Sequence, residues 1–343
     1  MPLRKILFQP GVNKEGTEYS ADAGWYDSDK VRFRKGRPEK IGGWSKYSPE
    51  SFLGVCRSIH DWASLESIRY IGLGTHLKFY VNEGSSFNDV TPIRSTTSAG
   101  DVTFSATNGS STITATDTSH GATVNDFVTF SGSASLGGNV TAAVLNLEYQ
   151  IASVPTANTF TFVAKDSDGN TITANASDSG NGGSSVVGAY QISTGLNTYL
   201  EGTGWGADTF GAGTFGSSSA ISSSNQLRLY TQDNFGEDLI FNVRGGGVYY
   251  WDESSGTSAR AVDLSSLSSP SNTPTGALQV MVSDIDQHVI CFGVNAIGSS
   301  TIDPLFIRWS DQESAADWTP TATNTSGGVR INYGSRIVGA LQA

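Results

Sequence analysis

Acidic and tryptophan side chains crowd together in RWSDQESAADWTPTATNTSGG, residues 308–328. Two carboxylates beside aromatic rings are what a glycoside-cleaving site uses, with one carboxyl of raised pKa and, in retaining enzymes, about 5 Å between the two. The same segment also suits a strand that runs into a long surface turn, because Trp309 continues the apolar run PLFIRW and turn residues follow it. The spacing of the acids matches no catalytic motif, so we predict the strand and turn.

The other candidate motifs are also incomplete. None of the four histidines lies in an HxxxH or HExxH motif; they are His60, His76, His120 and His288. DSDGN at 166–170 begins like a calcium loop but lacks the glycine and glutamate that an EF-hand needs, so we predict a hairpin turn. GTGWG at 202–206 lacks the strand–turn–helix context of a nucleotide-binding loop. We therefore expect no enzyme, no cofactor and no metal.

Charge is divided unevenly along the 343 residues, whose net charge is −11. Residues 1–46 carry a net +4 and the remainder carries −15. Such an acidic body is a poor nucleic-acid binder, because neutralising phosphates takes Lys and Arg. No apolar run reaches the ~18 residues that span a membrane. The two cysteines, Cys56 and Cys291, lie in no CxxC pattern, and we interpret them as two buried thiols.

Short runs of Val, Ile, Thr, Phe and Tyr between Gly, Ser, Asn and Asp predict an all-β chain. Residues 51–96 contain four such runs, the size of one antiparallel β-propeller blade. The pattern returns within 189–343 as two more units, with a Gly-rich segment at 189–225 as a possible fourth. A closed propeller has roughly four to eight blades. Either the ring closes with few blades or this is an incomplete copy of a longer chain, and we favour the second.

Residues 97–188 differ in composition and interrupt the blades. They contain one basic residue, Lys165, and are rich in Ser, Thr, Ala, Asn and Gly. The recurring apolar residues indicate a packed core, so we predict a small inserted β-domain. The core candidates are Phe127, Val128, Phe130, Tyr149, Ile151, Phe160 and Phe162.

For residues 1–50 we predict an extended N-terminal arm that docks on a partner. Basic residues alternate with Val31 and Phe33, as in a strand, and RKGRPE predicts a turn. This basic cluster suits an acidic partner or DNA, and it equally suits a solvated strand face. The interface candidates are aromatic anchors and arginines that set register: Trp25, Tyr26, Phe33, Trp44, Arg32, Arg34 and Arg37.

Several segments together resemble a known family. The segment from MPLRKILFQPG to EKIGGW, then IGLGTHLKFYV, DVTPI, GTGWGADTFG and DPLFIRWSDQESAADWTPTATNTSGG are similar to the DNA-stabilisation, or tail nozzle, proteins of short-tailed bacteriophages. The HG, DFV, EYQI and FTF motifs of the insert resemble small β-modules of phage tail components.

The resemblance implies a virion subunit with a β-propeller, assembled in the host cytoplasm. It implies a cyclic ring, a hexamer in the family, whose channel retains the packaged double-stranded DNA and passes it during ejection. The implied partners are the tail adaptor ring and tail fibre, spike or needle proteins. Two alternatives stay open from the residues: a receptor- or carbohydrate-binding propeller, and a polysaccharide depolymerase.

Overall fold

Strands make up nearly all of the regular structure in the computed structural model, which describes residues 9–17, 19, 23–178, 180–194 and 229–341. These ranges contain 22 β-strands, one short α-helix and a few single-turn helices. The all-β prediction is therefore confirmed. The GTGWG segment and most of the Gly-rich segment at 189–225 lie outside the described residues.

The N-terminal arm, Met1–Pro49, forms a unit distinct from Glu50–Ala343. Its regular structure is a hairpin of β1 (Val31–Arg34) and β2 (Arg37–Lys40), joined by a two-residue turn at Lys35 and Gly36. Lys35 has φ 49° and Gly36 has φ 76°, the pair of positive φ values that tight hairpin turns require. The turn is thus shorter than RKGRPE, because Arg37 and Pro38 already belong to the second strand.

Three four-stranded antiparallel sheets have the meander topology of propeller blades. Blade 1 contains β3 (Cys56–Ala63), β4 (Arg69–Thr75), β5 (Phe79–Glu83) and β6 (Ser86–Asp89). Blade 2 contains β15 (Tyr230–Phe235), β16 (Asp238–Val243), β17 (Val248–Trp251) and β18 (Val262–Asp263). Blade 3 contains β19 (Ala277–Val282), β20 (Val289–Asn295), β21 (Ile302–Trp309) and β22 (Gly327–Arg330). The prediction of propeller-like blades is confirmed.

Blades 1 and 2 pack face to face through alternate residues of their strands, because side chains along a strand point to opposite faces. The rings of Phe79 and Phe241 stack with centroids 3.8 Å apart, and Trp62 meets Trp251 edge to face. Gly74 permits this approach, since a Cβ there would lie 2.5 Å from the ring of Tyr230.

Blades 2 and 3 share a second core and are joined by side-chain hydrogen bonds to the first strand of blade 3. Val280 and Val282 donate their backbone N–H groups to Thr231 Oγ1 and Asp233 Oδ2, each over 2.9 Å. Ile240 and Val248 of blade 2 lie in the same buried cluster as Val280 and Val282. The three blades therefore form one continuous series.

The insert is a sandwich of two four-stranded sheets. The first sheet contains β7 (Ile93–Thr96), β10 (Phe127–Ser131), β11 (Glu148–Gln150) and β14 (Val187–Gln191). The second contains β8 (Thr103–Ala106), β9 (Thr112–Thr116), β12 (Ser153–Thr156) and β13 (Thr159–Val163), and helix α1 (Ala142–Leu145) lies between β10 and β11 in sequence. All seven residues predicted for its core are buried. The chain enters along β7 and leaves along β14, which pair with each other, so the first sheet extends past both predicted ends, 97 and 188.

Three details differ from the sequence predictions. EYQIASV is not one strand, because the chain passes from the first sheet to the second between β11 and β12. The first strand of blade 2 follows Leu229 and includes the polar TQDN, while residues 226–228 of the predicted QLRLYT lie outside the described residues. Cys291 is buried as predicted, but Cys56 is exposed at the start of β3. Across the described ranges, none of the helices combines the length and apolarity that crossing a membrane takes.

Candidate functional site

The hairpin of the arm separates the predicted interface residues onto two faces. Cross-strand partners share a face, so the Arg32–Glu39 and Arg34–Arg37 pairs place three arginines together. Arg32 Nε lies 2.5 Å from Glu39 Oε1, and Arg34 and Arg37 are exposed. The hairpin thus presents a basic strip on this face.

The aromatic candidates of the arm divide differently. Trp25 and Phe33 lie on the opposite side of the hairpin, with ring centroids 6.1 Å apart and partly buried side chains. Tyr26 is 40% exposed, and Trp44 is wholly exposed at 102%. The structure therefore brings Trp25 and Phe33 together, while Tyr26 and Trp44 stay on the surface. A two-stranded hairpin is marginally stable alone in water, so a partner surface would stabilise this one.

Turns at one end of all three blades carry a group of carboxylates. Strand direction alternates within each sheet, so the turns after β3, β5, β15, β17, β19 and β21 lie at the same end of their blades. A hydrogen bond of 2.6 Å from Leu65 N to Glu237 Oε1 joins these turns in blades 1 and 2. The turn after β17 also contains Arg260. We name this the acidic end; its acids are Glu66, Glu237, Asp252, Glu253, Asp284, Asp286, Asp311, Glu313 and Asp317.

The described turns at the opposite end lack carboxylates. The described turns 76–78, 244–247 and 296–301 contain no Asp or Glu, while Lys78 and Arg244 lie in two of them. The sequence alone gives the net charge of the body but not this division, because it depends on which turns share an end.

The carboxylates of segment 308–328 are turn residues. Asp311 Oδ1 accepts hydrogen bonds of 2.7 Å from both Thr325 N and Thr325 Oγ1, and these bonds lower the pKa of Asp311. Asp317 accepts hydrogen bonds from Ser271 Oγ and Thr319 N, which lower its pKa. A glycosidase acid needs a raised pKa, so neither group is suited to that role.

Arg308, the first residue of this segment, has a buried side chain with a structural role. It is 1% exposed, and its guanidinium donates to the backbone carbonyls of Asn272, Asn295 and Trp318. Burial lowers the pKa of Arg308, and the charge is held by carbonyl dipoles and by the ring of Trp318, 5.7 Å away. Its role is to tie β21 to the long turn.

An ion-pair network joins the insert to blades 1 and 2. Lys78 Nζ, in a side chain that is 5% exposed, bonds to Asp89 Oδ2 at 2.6 Å and to Glu148 of the insert. Arg260, from blade 2, approaches Asp89 and Glu148 at 3.4 Å each and donates to Thr91 O at 2.8 Å. Burial raises the pKa of Asp89, but Lys78 and Arg260 outweigh it and hold that pKa below its ordinary value.

The histidines and the Asp166 loop form no metal site. Within the described ranges, no group of three or more His, Cys, Asp or Glu side chains could hold a metal ion. His120 Nδ1 accepts the Ala122 N–H, and its ring packs against Phe160. Asp166 accepts hydrogen bonds from the side chain and backbone of Asn170, which lower its pKa and close the predicted hairpin turn.

Comparison with known proteins adds little to this geometry. No protein-family model and no curated protein matches the chain. Among solved structures, the chain is similar to a phage phi92 endosialidase, with 12% sequence identity and a TM-score of 0.23. The alignment covers 88% of this chain and 41% of the endosialidase chain. The chain thus spans less than half of that protein, and the similarity is too low to assign it an activity.

Proposed function

We propose that the chain is a structural subunit of a short bacteriophage tail, in which copies form a ring around a channel for double-stranded DNA. The observation that carries the proposal is the division of charge between a separate basic arm and blades with an acidic end. The sequence resemblance to tail nozzle proteins supplies the biological setting. The subunit would then lie in the virion, on the tail axis.

The acidic end suits a DNA channel. Carboxylates repel phosphates, so DNA moving past them forms no ion pairs that would have to be broken. Asp284, Asp286 and Glu313 are exposed and lie on two neighbouring turns of blade 3, where Glu313 N donates to Asp286 O. We propose that these acids face the DNA.

Charge reversal tests the channel. Changing Asp284, Asp286 and Glu313 together to Lys should slow genome ejection, because each new ammonium attracts a phosphate. Asp168→Lys is the matched control, since Asp168 is also exposed but lies in the hairpin turn of the insert. Ejection from particles with the triple variant at the rate of unmodified particles would remove the channel role.

The arm is the proposed attachment to the tail adaptor ring. Aromatic and arginine side chains are the usual anchors of an interface core, and here Trp44 and the Arg34–Arg37 pair are exposed. Trp44→Ala combined with Arg34→Glu and Arg37→Glu should leave the body folded and reduce incorporation into tails. Tyr333→Ala is the control, because Tyr333 is 89% exposed but lies outside the arm. Normal incorporation of the triple variant would rule out docking through the arm.

A carbohydrate- or receptor-binding role is the second candidate, and the outer face of the insert favours it. On the second sheet, two rows of hydroxyl side chains cross all four strands without a charged residue. The rows are Thr103, Thr116, Thr159 and Thr156, and Ser105, Thr114, Thr161 and Ser153. Such a face suits a neutral glycan. Binding of the isolated chain to neutral surface polysaccharide, lost in Thr114→Val with Thr161→Val, would support this role over the first.

A further inference from the structure

Residues 50–55 connect the N-terminal arm to β3 and lie against blade 1; we name them the strap. The ring of Phe52 packs against the rings of Tyr80 and Phe87, with centroids 6.2 and 5.2 Å apart. Glu50 Oε2 accepts a hydrogen bond of 3.2 Å from Phe87 N. No residue of the strap belongs to a helix or strand, so its own N–H groups depend on side chains of blade 1.

A histidine holds the end of the strap next to β3. Val55 N donates to His76 Nδ1 over 3.0 Å, and Leu53 N donates to the Tyr80 hydroxyl over 3.2 Å. His76 is 8% exposed, and its backbone carbonyl accepts a hydrogen bond from Thr194 Oγ1. Because Nδ1 is the acceptor, the proton of the neutral His76 ring lies on Nε2.

Gly54 lets the strap approach this histidine closely. Its φ is +96°, in the left-handed region that favours glycine. A Cβ at Gly54 would lie 2.7 Å from Thr75 Oγ1 and 3.3 Å from His76 Nδ1. A side chain there would push the strap away from the turn that follows β4, so the hydrogen bond from Val55 to His76 depends on this glycine.

The charged groups around His76 favour its neutral ring. Within the described ranges, the titratable groups on the strap and on the elements around the ring are Glu50, Cys56, Arg57, Lys78, Tyr80 and Tyr230. Lys78 is held in the ion-pair network with the insert. Burial and the charge of Arg57 lower the pKa of His76. A ring that leaves this contact therefore takes up a proton more readily than one that accepts the Val55 N–H.

We propose that His76 is a pH switch whose protonation releases the strap from blade 1. A proton on Nδ1 removes the lone pair that accepts the Val55 N–H, and the two groups then face each other as donors. The folded pKa of His76 is lowered, so the hydrogen bond contributes its full stabilisation above the unfolded pKa of about 6.5 and loses it as pH falls below that value. Once released, residues 50–55 become a tether up to about 20 Å long between the arm and β3. This inference is independent of the proposed function.

The experiment follows amide hydrogen exchange in the full chain from about pH 8 to pH 5, the range in which histidine titrates. The protection of Val55 N–H, corrected for the intrinsic pH dependence of exchange, should fall by up to about tenfold per pH unit, because release takes up one proton. Amides of β10, in the core of the insert, are the internal reference, and their protection should stay constant.

Three variants separate the histidine from other effects of acid. His76→Asn has no titrating group, so the pH dependence should disappear whether or not its amide oxygen still accepts the Val55 N–H. Gly54→Ala should expose Val55 N–H to exchange at every pH, because the added Cβ meets Thr75. His288→Asn is the matched control and should leave the pH dependence unchanged, since His288 lies in a turn of blade 3 and bonds to a backbone carbonyl. Protection independent of pH in the unmodified chain, or the same pH dependence in His76→Asn, would overturn the proposal.

Discussion

Replacing Lys78 by Met should destabilise the junction between the insert and the blades. The change keeps an apolar stem and removes an ammonium that bonds to Asp89 and Glu148. Removing one partner of a buried ion pair costs about 3–5 kcal/mol. Asp89 and Glu148 are 22% and 28% exposed, and Arg260 still lies 3.4 Å from each, so we expect the lower end, about 3 kcal/mol.

The destabilisation caused by Lys78→Met should depend on pH through the ionisation of Asp89. The folded pKa of Asp89 is lowered, so its stabilisation is fully present above its unfolded pKa of about 3.9 and is lost as pH falls through the lower folded value. Without Lys78, burial raises the pKa of Asp89 and much of that stabilisation is gone at neutral pH. The difference in unfolding free energy between the two proteins should therefore be largest near neutral pH and shrink toward pH 3.

Guanidinium unfolding read by two probes provides the assay. The insert contains no tryptophan, so tryptophan fluorescence reports on the blades and amide exchange in β10 and β11 reports on the insert. Lys165→Met is the control, since Lys165 is the exposed basic residue of the insert. A loss of less than about 1 kcal/mol in Lys78→Met, or a loss independent of pH, would refute the argument that the network is a buried ion-pair junction.

Three further outcomes are expected from the blades. Arg308→Met should lower the unfolding free energy by about 3 kcal/mol, because three backbone carbonyls lose their buried donor. Arg308→Lys should not recover this stability, since an ammonium lacks the planar fork of a guanidinium. Fluorescence-detected unfolding measures both variants. Gly74→Ala should cost about 1–3 kcal/mol by forcing blades 1 and 2 apart, while Gly42→Ala, with nothing within 4 Å, should leave stability unchanged in the same titration. A thiol reagent at pH 8 should label exposed Cys56 alone in the folded chain and label Cys291 only after unfolding, because burial raises the pKa of Cys291 to about 12; labelling of both thiols in the folded chain would contradict this.

The blades and the core of the insert could be predicted because they depend on local patterns. In β4 and β5, apolar residues alternate along the chain and tight turns bound the strands. This pattern predicts both where a strand lies and which of its faces is buried. The run EYQIASV could not be divided correctly, because nothing local marks the point where a continuous apolar run changes sheet. The extension of β15 through TQDN was not predicted, because TQDN has turn composition, while its side chains bond to β19 and to blade 1.

The candidate site was predictable only in part. The composition of the arm identified its basic and aromatic residues, and the structure separates them onto different faces. The Lys78 network was missed because its members come from positions 78, 89, 148 and 260, and no local signal connects them. The burial of Arg308 was not predicted, because a buried arginine that bonds to backbone carbonyls has no partner acid in the sequence to reveal it.

Electron cryo-microscopy of phage particles that contain this chain would show where its copies lie. We expect copies in a closed ring on the tail axis, with the arm against the adaptor ring and the acidic end facing the DNA. Copies at the periphery, as separate spikes or fibres with the insert pointing outward, would contradict this expectation and favour the receptor-binding role.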